Sequence, residues 1–184
     1  MSGHSKWSQI KRQKGVTDVA KSRVFARYAR MIMVESKKSN GNVTAPGLAS
    51  AISRAKAANM PKDNIERAIT KGISKDAGAM EQMQYEAYGP SGTAIIVNAL
   101  TDNKNRTTQE IKHLLALQGV ELSTPGAAGW AFSKSADGSL APNEPLMELS
   151  EEDGEKLGAI LSALDEHDDV QEVYTNARGY ESFD

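Results

Sequence analysis

The chain has 184 residues, of which 39% are hydrophobic and 25% charged, so it is long enough for one large or two small domains and too apolar for wholesale disorder. It has no cysteine, which excludes disulfides, thiolate metal sites and a cysteine nucleophile, and which favours the reducing cytoplasm as its location. No apolar run reaches the about 18 residues of a membrane span, and the polar, basic N-terminus lacks a signal-peptide core, so we expect no membrane partner.

The formal net charge of −2 conceals a strong separation of charge along the chain. Residues 1–75 contain 16 Lys and Arg and 4 Asp and Glu, a charge of +12. Residues 76–184 contain 6 Lys and Arg and 20 Asp and Glu, a charge of −14. This asymmetry indicates an N-terminal part that binds polyanions, followed by an acidic domain. The alternative is that both halves simply carry solvated charged faces.

Residues 1–16 are predicted to form a basic arm, because they show no regular hydrophobic period. We expect Trp7 to stack on a base or sugar and the cations of the arm to contact nucleic-acid phosphates. Those cations are Lys6, Lys11, Arg12 and Lys14. The alternative for Trp7 is a hydrophobic latch, formed with Ile10, beneath the helical domain, since an exposed tryptophan is uncommon.

A domain of three helices is predicted over residues 17–75. Thr17 and Asp18 can cap a first helix that ends near Ser39. The buried stripe of this helix is Phe25, Tyr28, Ala29 and Ile32, and its opposite face is a cationic ridge of Arg23, Arg27, Arg30 and Lys37. The residues of this helix that we expect to contact phosphates are Lys21, Arg23, Arg27 and Arg30.

The second and third helices are predicted to begin near Pro46 and Pro61, because proline suits the first turn of a helix. Gly72 is expected just past the end of the third helix. A helix-turn-helix fits this spacing, but the pattern is common to many helical bundles and no distinctive recognition helix stands out.

Residues 80–176 are predicted to form an α+β domain, a ferredoxin-like ββαβ-βαβ sandwich with helices on one face of a mostly antiparallel sheet. The strands are expected at 83–87, 93–100, 128–133, 145–149 and 170–175, with Trp130 and Phe132 on one face of the third. Capping boxes predict helix starts at Thr107 with Glu110 and at Ser150 with Asp153. Residues 134–143 are predicted to be a loop.

Catalytic and metal-binding motifs are missing from the sequence. The histidines, His4, His113 and His167, are not spaced as metal ligands, and no phosphate loop, nucleophile elbow or dinucleotide fingerprint occurs. We therefore expect no enzyme activity, no cofactor and no bound metal. The best candidate for a small polar site is the loop at 101–106, with the side chains of Asp102, Asn103 and Arg106. The alternative, which we favour, is a well hydrogen-bonded loop that leads into a capped helix.

Four motifs, in this order, resemble those of a known family. They are GHSKW with IK at 3–7 and 10–11, NMP at 59–61, YGPSGTA at 88–94 and TDNKNRT at 101–107. Together they closely resemble the YebC/PmpR family, which includes the mitochondrial translational activator of cytochrome oxidase. The resemblance implies a helical domain followed by two α/β domains, the third inserted into the second. Only the loop at 134–143 stands in the place of that insertion here, so we expect two domains.

The resemblance also implies a function. Family members are described as DNA-binding transcriptional regulators, which implies a non-enzymatic, nucleic-acid-binding regulator of gene expression. Others resemble ribosome-associated translation factors, so the alternative partners are ribosomal RNA and the ribosome. Phosphate contacts fit both, because they carry no sequence information. A further alternative of a different class is a small-ligand binder or enzyme that uses the 102–106 loop.

Overall fold

The structure is a computed structural model that describes residues 18–74, 80–135 and 139–181. The described chain divides into two compact units, the first ending at Glu81 and the second beginning at Gln82. The predicted basic arm at 1–16 lies outside the described residues. No helix within the described ranges is both long and apolar enough to cross a membrane.

Three helices form the first unit: α1 (Asp18–Ser39), α2 (Pro46–Ala57) and α3 (Lys62–Ile73). The predicted stripe of α1 lies in their shared core, where Ile32 is fully buried and Phe25, Tyr28 and Ala29 are partly buried. The rest of the core contributes small and medium apolar side chains, which are Leu48, Ala51, Ala55, Met60, Ile65 and Ala68. The predicted helical packing at the N-terminal end of the fold is therefore confirmed.

Gly72 differs from its prediction, because it lies inside α3 rather than past its end. A Cβ atom at Gly72 would lie 2.5 Å from the carbonyl oxygen of Met33 and 2.8 Å from the Cβ of Ser36, both on α1. The Ser36 hydroxyl also donates a hydrogen bond to the carbonyl of Ile69 at 2.8 Å. The glycine is thus a site of close helix approach and not a helix stop.

The second unit has the predicted α+β architecture. Its elements are β1 (Glu81–Tyr88), β2 (Ala94–Thr101), α4 (Lys104–Leu117), β3 (Phe132–Lys134), β4 (Leu140–Pro142), α5 (Glu151–Asp165) and β5 (Val170–Thr175). Three strands form one sheet in the order β1-β2-β5, with β2 antiparallel to β5. Strands β3 and β4 form a separate antiparallel pair.

The main sheet lies between two apolar layers, because successive side chains of a strand point to opposite faces. Ile95 and Val97 of β2 pack against the buried stripes of α4 and α5. Ile96, between them, packs on the other face with Tyr174 of β5 and Phe132 of β3. The β3–β4 pair therefore covers part of the sheet face that the helices leave open.

Three predicted elements are wrong in detail. The range 134–143, predicted as a loop, contains β4, and residues 136–138 lie outside the described chain. The predicted strand at 145–149 is reduced to a parallel bridge between Met147 and Ala177. The predicted strand at 128–133 begins with a 3₁₀ turn, Gly129–Ala131. The turn interrupts the alternation of a strand between Trp130 and Phe132, so the two side chains do not share a face. Trp130 is exposed and Phe132 is in the core.

Candidate nucleic-acid interface

The structure places four of the predicted phosphate contacts on α1. Lys21 is exposed, and Arg23, Arg27 and Arg30 are half-buried. An arginine can cover its aliphatic stem and keep its charged head at the surface, so half-burial is compatible with phosphate contact. The Nε atom of Arg27 is buried, and a phosphate contact by this residue would therefore use its terminal nitrogens. The other predicted contacts, Lys6, Trp7, Lys11, Arg12 and Lys14, lie outside the described residues.

Charge is segregated between the two units. Residues 18–74 contain 11 Lys and Arg and 4 Asp and Glu, a charge of +7. Residues 82–135 and 139–181 together contain 6 Lys and Arg and 16 Asp and Glu, a charge of −10. Within α1, Lys38 pairs with Glu35 at 2.6 Å, at the C-terminal end of the helix. A polyanion is therefore attracted by the helical unit and repelled by the α/β unit.

The predicted polar site at 102–106 is the N-terminus of α4. Asn103 is extended and caps the helix, with its Oδ1 accepting a hydrogen bond from the backbone N–H of Arg106 at 3.1 Å. Thr101 Oγ1 accepts from the backbone N–H of Asn103 at 2.9 Å and so fixes the cap. The capping box predicted at Thr107 is wrong, because Asn103 starts the helix four residues earlier. The helix start predicted at Ser150 is confirmed, since the Ser150 side chain accepts from the Asp153 N–H. The Asp153 carboxylate accepts from the Ser91 hydroxyl at 2.7 Å.

A buried carboxylate, distant in sequence, completes this loop. Asp169 is 4% exposed, and its Oδ2 accepts from Arg106 Nη2 at 2.9 Å and from Thr107 Oγ1 at 2.7 Å. Arg106 Nη2 also donates to Asp102 Oδ1 at 3.0 Å. The hydrogen bond and charge of Asp169 raise the pKa of the Arg106 guanidinium, which therefore stays charged. No local pattern points to Asp169, which lies 63 residues from Arg106.

Glu110, His167 and Asp169 bring ligand-type atoms within 4.8 Å of one another. His167 Nδ1 accepts from the backbone N–H of Asp169 at 3.1 Å, so the proton of the neutral ring is on Nε2, which faces Glu110 at 3.1 Å. A metal bound to Nε2 would require that proton to be on Nδ1. The Nδ1–H would then face the Asp169 N–H, and the hydrogen bond between them would be lost. Arg106 already supplies positive charge, 3.8 Å from Glu110. The geometry is that of an ion-pair network rather than a metal site.

Asp102, Asn103 and Arg106 are thus close together, but each is bonded to its neighbours or to Asp169. Arg106 and Asp102 are exposed, so the loop presents a charged surface with its hydrogen bonds made internally. The other histidine within the described chain, His113, is exposed on α4. This arrangement has the features of a structural helix start.

Comparison with known proteins places the chain in a family. Residues 5–75 match the TACO1/YebC protein N-terminal domain, and residues 80–137 match the TACO1/YebC second and third domain. A protein of Syntrophobacter fumaroxidans, named a probable transcriptional regulatory protein, is 42% identical over 178 residues, which cover 96% of this chain and 71% of that protein. A protein of Borrelia hermsii with the same designation is 43% identical over 160 residues, which cover 84% of this chain and 66% of that protein.

A third relative is longer than this chain. The probable transcriptional regulatory protein of Pseudothermotoga lettingae is 34% identical over 236 aligned positions, covering 96% of this chain and 93% of its own. Since 236 positions exceed the 184 residues available here, that relative contains residues that this chain lacks.

The fold comparison agrees with the sequence comparison. The crystal structure of a conserved hypothetical protein from Aquifex aeolicus matches with a TM-score of 0.77 and 27% identity, covering 88% of this chain and 91% of that one. The matched domains together span more than two thirds of the chain. The chain therefore belongs to the TACO1/YebC family.

Proposed function

We propose that this protein is a non-enzymatic regulator of gene expression that binds nucleic acid through its helical unit and the basic arm that precedes it. The observation that carries the proposal is the charge of +7 on residues 18–74 against −10 on the described residues from 82 onward. Phosphate neutralisation by Lys and Arg supplies most sequence-independent affinity for nucleic acids. The names of the relatives, probable transcriptional regulatory proteins, support DNA as the target.

The proposed phosphate contacts within the described chain are Lys21, Arg23, Arg27 and Arg30 of α1. The arm would add Lys6, Lys11, Arg12 and Lys14, with Trp7 stacked on a base or sugar. The 102–106 loop has no part in this binding, since Arg106 is bonded to Asp102 and Asp169.

A second candidate function is translation control through ribosomal RNA, and the composition of α3 favours it. In a helix-turn-helix the second helix enters the major groove with its N-terminal residues at the base edges. Here α3 carries exposed Asp63 and Glu66 in its first turns, and Glu66 pairs with Lys62 at 3.5 Å. These carboxylates would bring negative charge into a groove lined by DNA phosphates, which is unfavourable. Irregular RNA, by contrast, can be bound by α1 and the arm alone.

Salt-dependent binding tests the proposal. Fluorescence anisotropy would measure the affinity of the full chain for labelled duplex DNA and for a ribosomal RNA fragment as salt is raised. On duplex DNA, the removal of one phosphate-binding cation should reduce the slope of log K against log salt by about 0.9. We expect the double variant Lys21→Ala/Arg23→Ala to reduce the slope by about 1.8.

The matched control is Lys112→Ala/Lys134→Ala, which removes two exposed cations from the α/β unit. This control should leave the slope unchanged. An equal reduction in both double variants, or no reduction in either, would contradict binding by α1. A preference for one DNA site of about 10³ over random duplex would favour transcription, and tight RNA binding without such a preference would favour translation.

We also propose that the β3–β4 connection stands where longer relatives carry an additional domain, so that this chain has two domains. Two observations support this. The match to the second and third domains ends at residue 137, between β3 and β4. The alignment with the Pseudothermotoga protein needs more positions than this chain has.

A further inference from the structure

Among the described residues of the α/β unit, two large aromatic side chains lie at the surface. Trp130 is 66% exposed and Tyr88 is 37% exposed. Tyr88 is the last residue of β1, and Trp130 is in the 3₁₀ turn that precedes β3. The two rings are adjacent, so they form a continuous exposed aromatic surface, which is the kind of feature that marks an interaction site.

The exposed indole is held in place by hydrogen bonds. Trp130 Nε1 donates to the Tyr88 hydroxyl at 2.9 Å, and that hydroxyl donates to the carbonyl of Ala127. The main chain is fixed as well, because the Trp130 carbonyl accepts from Asn143 Nδ2 at 2.9 Å. Asn143 is itself held by Ser133, whose hydroxyl donates to its Oδ1 at 2.6 Å. The ring is therefore exposed and ordered at the same time.

A buried carboxylate fixes the loop that supports this pair. Glu86 is 6% exposed, and its two oxygens accept from the backbone N–H groups of Gly126 at 2.8 Å and Ala128 at 2.6 Å. Glu86 and Tyr88 are two residues apart on β1 and so face the same side of the sheet. Both hold the 126–128 segment that leads to Trp130. The two aromatic side chains are therefore already ordered in the folded protein. A ligand that binds them does not have to offset the entropy lost by ordering them, and this favours affinity.

The chemistry of the pair restricts its ligand. The N–H edge of the indole is bonded to Tyr88, so the pair offers ring faces, which attract cations, nucleobases and apolar rings. The unit carries −10, which repels nucleic-acid phosphates and attracts cations. Two exposed carboxylates are next in the chain to residues that contact the segments of the pair. Glu121 precedes Leu122, which bridges Ala87, and Glu144, whose Oε2 accepts from the Leu146 N–H, follows Asn143.

We propose that Tyr88 and Trp130 form a docking site for an arginine- and lysine-rich segment of a partner protein. Cationic side chains would lie over the two rings, and the carboxylates of Glu121 and Glu144 would attract the rest of the segment. The site uses only residues of the α/β unit. Substitutions in it therefore leave the proposed phosphate-binding side chains of the helical unit unchanged.

The full chain carrying Trp7→Phe provides a direct probe, because Trp130 is then its only tryptophan. We expect saturable quenching of Trp130 fluorescence by a short arginine-rich peptide. Calorimetry should show that Trp130→Leu weakens peptide binding by up to about fivefold, since an exposed cation–π contact contributes about 0.5–1 kcal/mol. Tyr88→Phe, which keeps the ring but releases the indole, should weaken binding less. Glu121→Gln/Glu144→Gln should weaken binding most at low salt.

Leu117→Ala is the matched control, because Leu117 is an apolar side chain of the same unit that is 70% exposed. It should leave peptide affinity unchanged. An unaltered Trp130 signal, or equal affinity for Trp130→Leu and the parent chain, would overturn the proposal. So would quenching by oligothymidylate or by a proline-rich peptide where the arginine-rich peptide has no effect. Unfolding midpoints of all variants establish that each is folded.

Discussion

Glu86 shows how a single buried side chain organises a loop in this fold. Its carboxylate accepts two backbone N–H groups, those of Gly126 and Ala128, and its own carbonyl accepts from Ser123 at 2.8 Å. A buried N–H without an acceptor costs free energy, so the segment has one favourable position. That position in turn sets the place of Trp130.

Glu86→Gln is expected to destabilise the protein. The amide keeps the shape of the side chain but presents an NH₂ group to one of the two N–H donors, which is left without an acceptor. We expect a decrease of about 1–3 kcal/mol in the free energy of unfolding, measured by urea denaturation. Gln84→Ala, on the exposed part of the same strand, should change it by less than about 0.5 kcal/mol. Equal stability of the two variants would contradict this role.

The residues that do most to fix these loops cannot be predicted from the sequence. Asp169 meets Arg106 across 63 positions, and Glu86 meets Ala128 across 42. Both are polar residues in ordinary surroundings when the sequence is read locally, and only the fold shows that they are buried. By contrast, the apolar stripe by which α1 packs on the other helices can be predicted, since Phe25 and Ile32 follow helical spacing.

At the scale of elements, helix ends are predictable where one local residue decides them. Asn40 and Gly41 adopt positive φ values of 50° and 77° and end α1 near the predicted position. Strands β3 and β4 have three residues each and are stabilised by pairing with one another. Strands this short show no alternating pattern in the sequence from which they could be predicted. The predicted start of α4 is misplaced because the Thr107–Glu110 pattern is not the one that caps the helix. The side chain of Asn103, four residues earlier, accepts from the Arg106 N–H instead.

Asn103→Ala tests that cap. The change removes the acceptor of the Arg106 N–H, and we expect it to lower the free energy of unfolding by about 1 kcal/mol. Asn105→Ala, two residues further along and inside α4, leaves the cap intact and should be neutral or slightly stabilising because alanine favours helix. Chemical denaturation of both variants measures the difference. Greater stability of Asn103→Ala than of Asn105→Ala would show that the helix does not start at this cap.

Gly72→Ala tests the contact between α1 and α3. The added Cβ would meet backbone atoms of Met33 at 2.5 and 3.0 Å, so the helices must separate. Overpacking of this kind is expected to destabilise the protein by about 1–3 kcal/mol. Gly47→Ala is the control, since the atoms nearest to its Cβ would belong to the flexible end of the Glu35 side chain. If Gly72→Ala unfolds at the same temperature as the control, the close approach is not a constraint.

At the scale of the whole molecule, the two units differ in charge and in what they offer to partners. The helical unit combines a buried apolar stripe with the cations of α1, and the α/β unit combines acidic character with an ordered, exposed aromatic pair. Because the two units have opposite charges, polyanions are repelled by the acidic unit and are expected to bind to the basic one. The proposed regulatory role therefore depends on nucleic-acid binding by the helical unit.

Ultraviolet cross-linking in growing cells, with sequencing of the attached DNA and RNA and mapping of the cross-linked peptides, tests this binding most directly. We predict cross-links in peptides from residues 1–38, which include the arm and the cations of α1. Enrichment at a few promoters would identify a transcriptional regulator, and enrichment in ribosomal RNA a translation factor. Cross-links confined to peptides after residue 81, or none above background, would contradict binding by the helical unit.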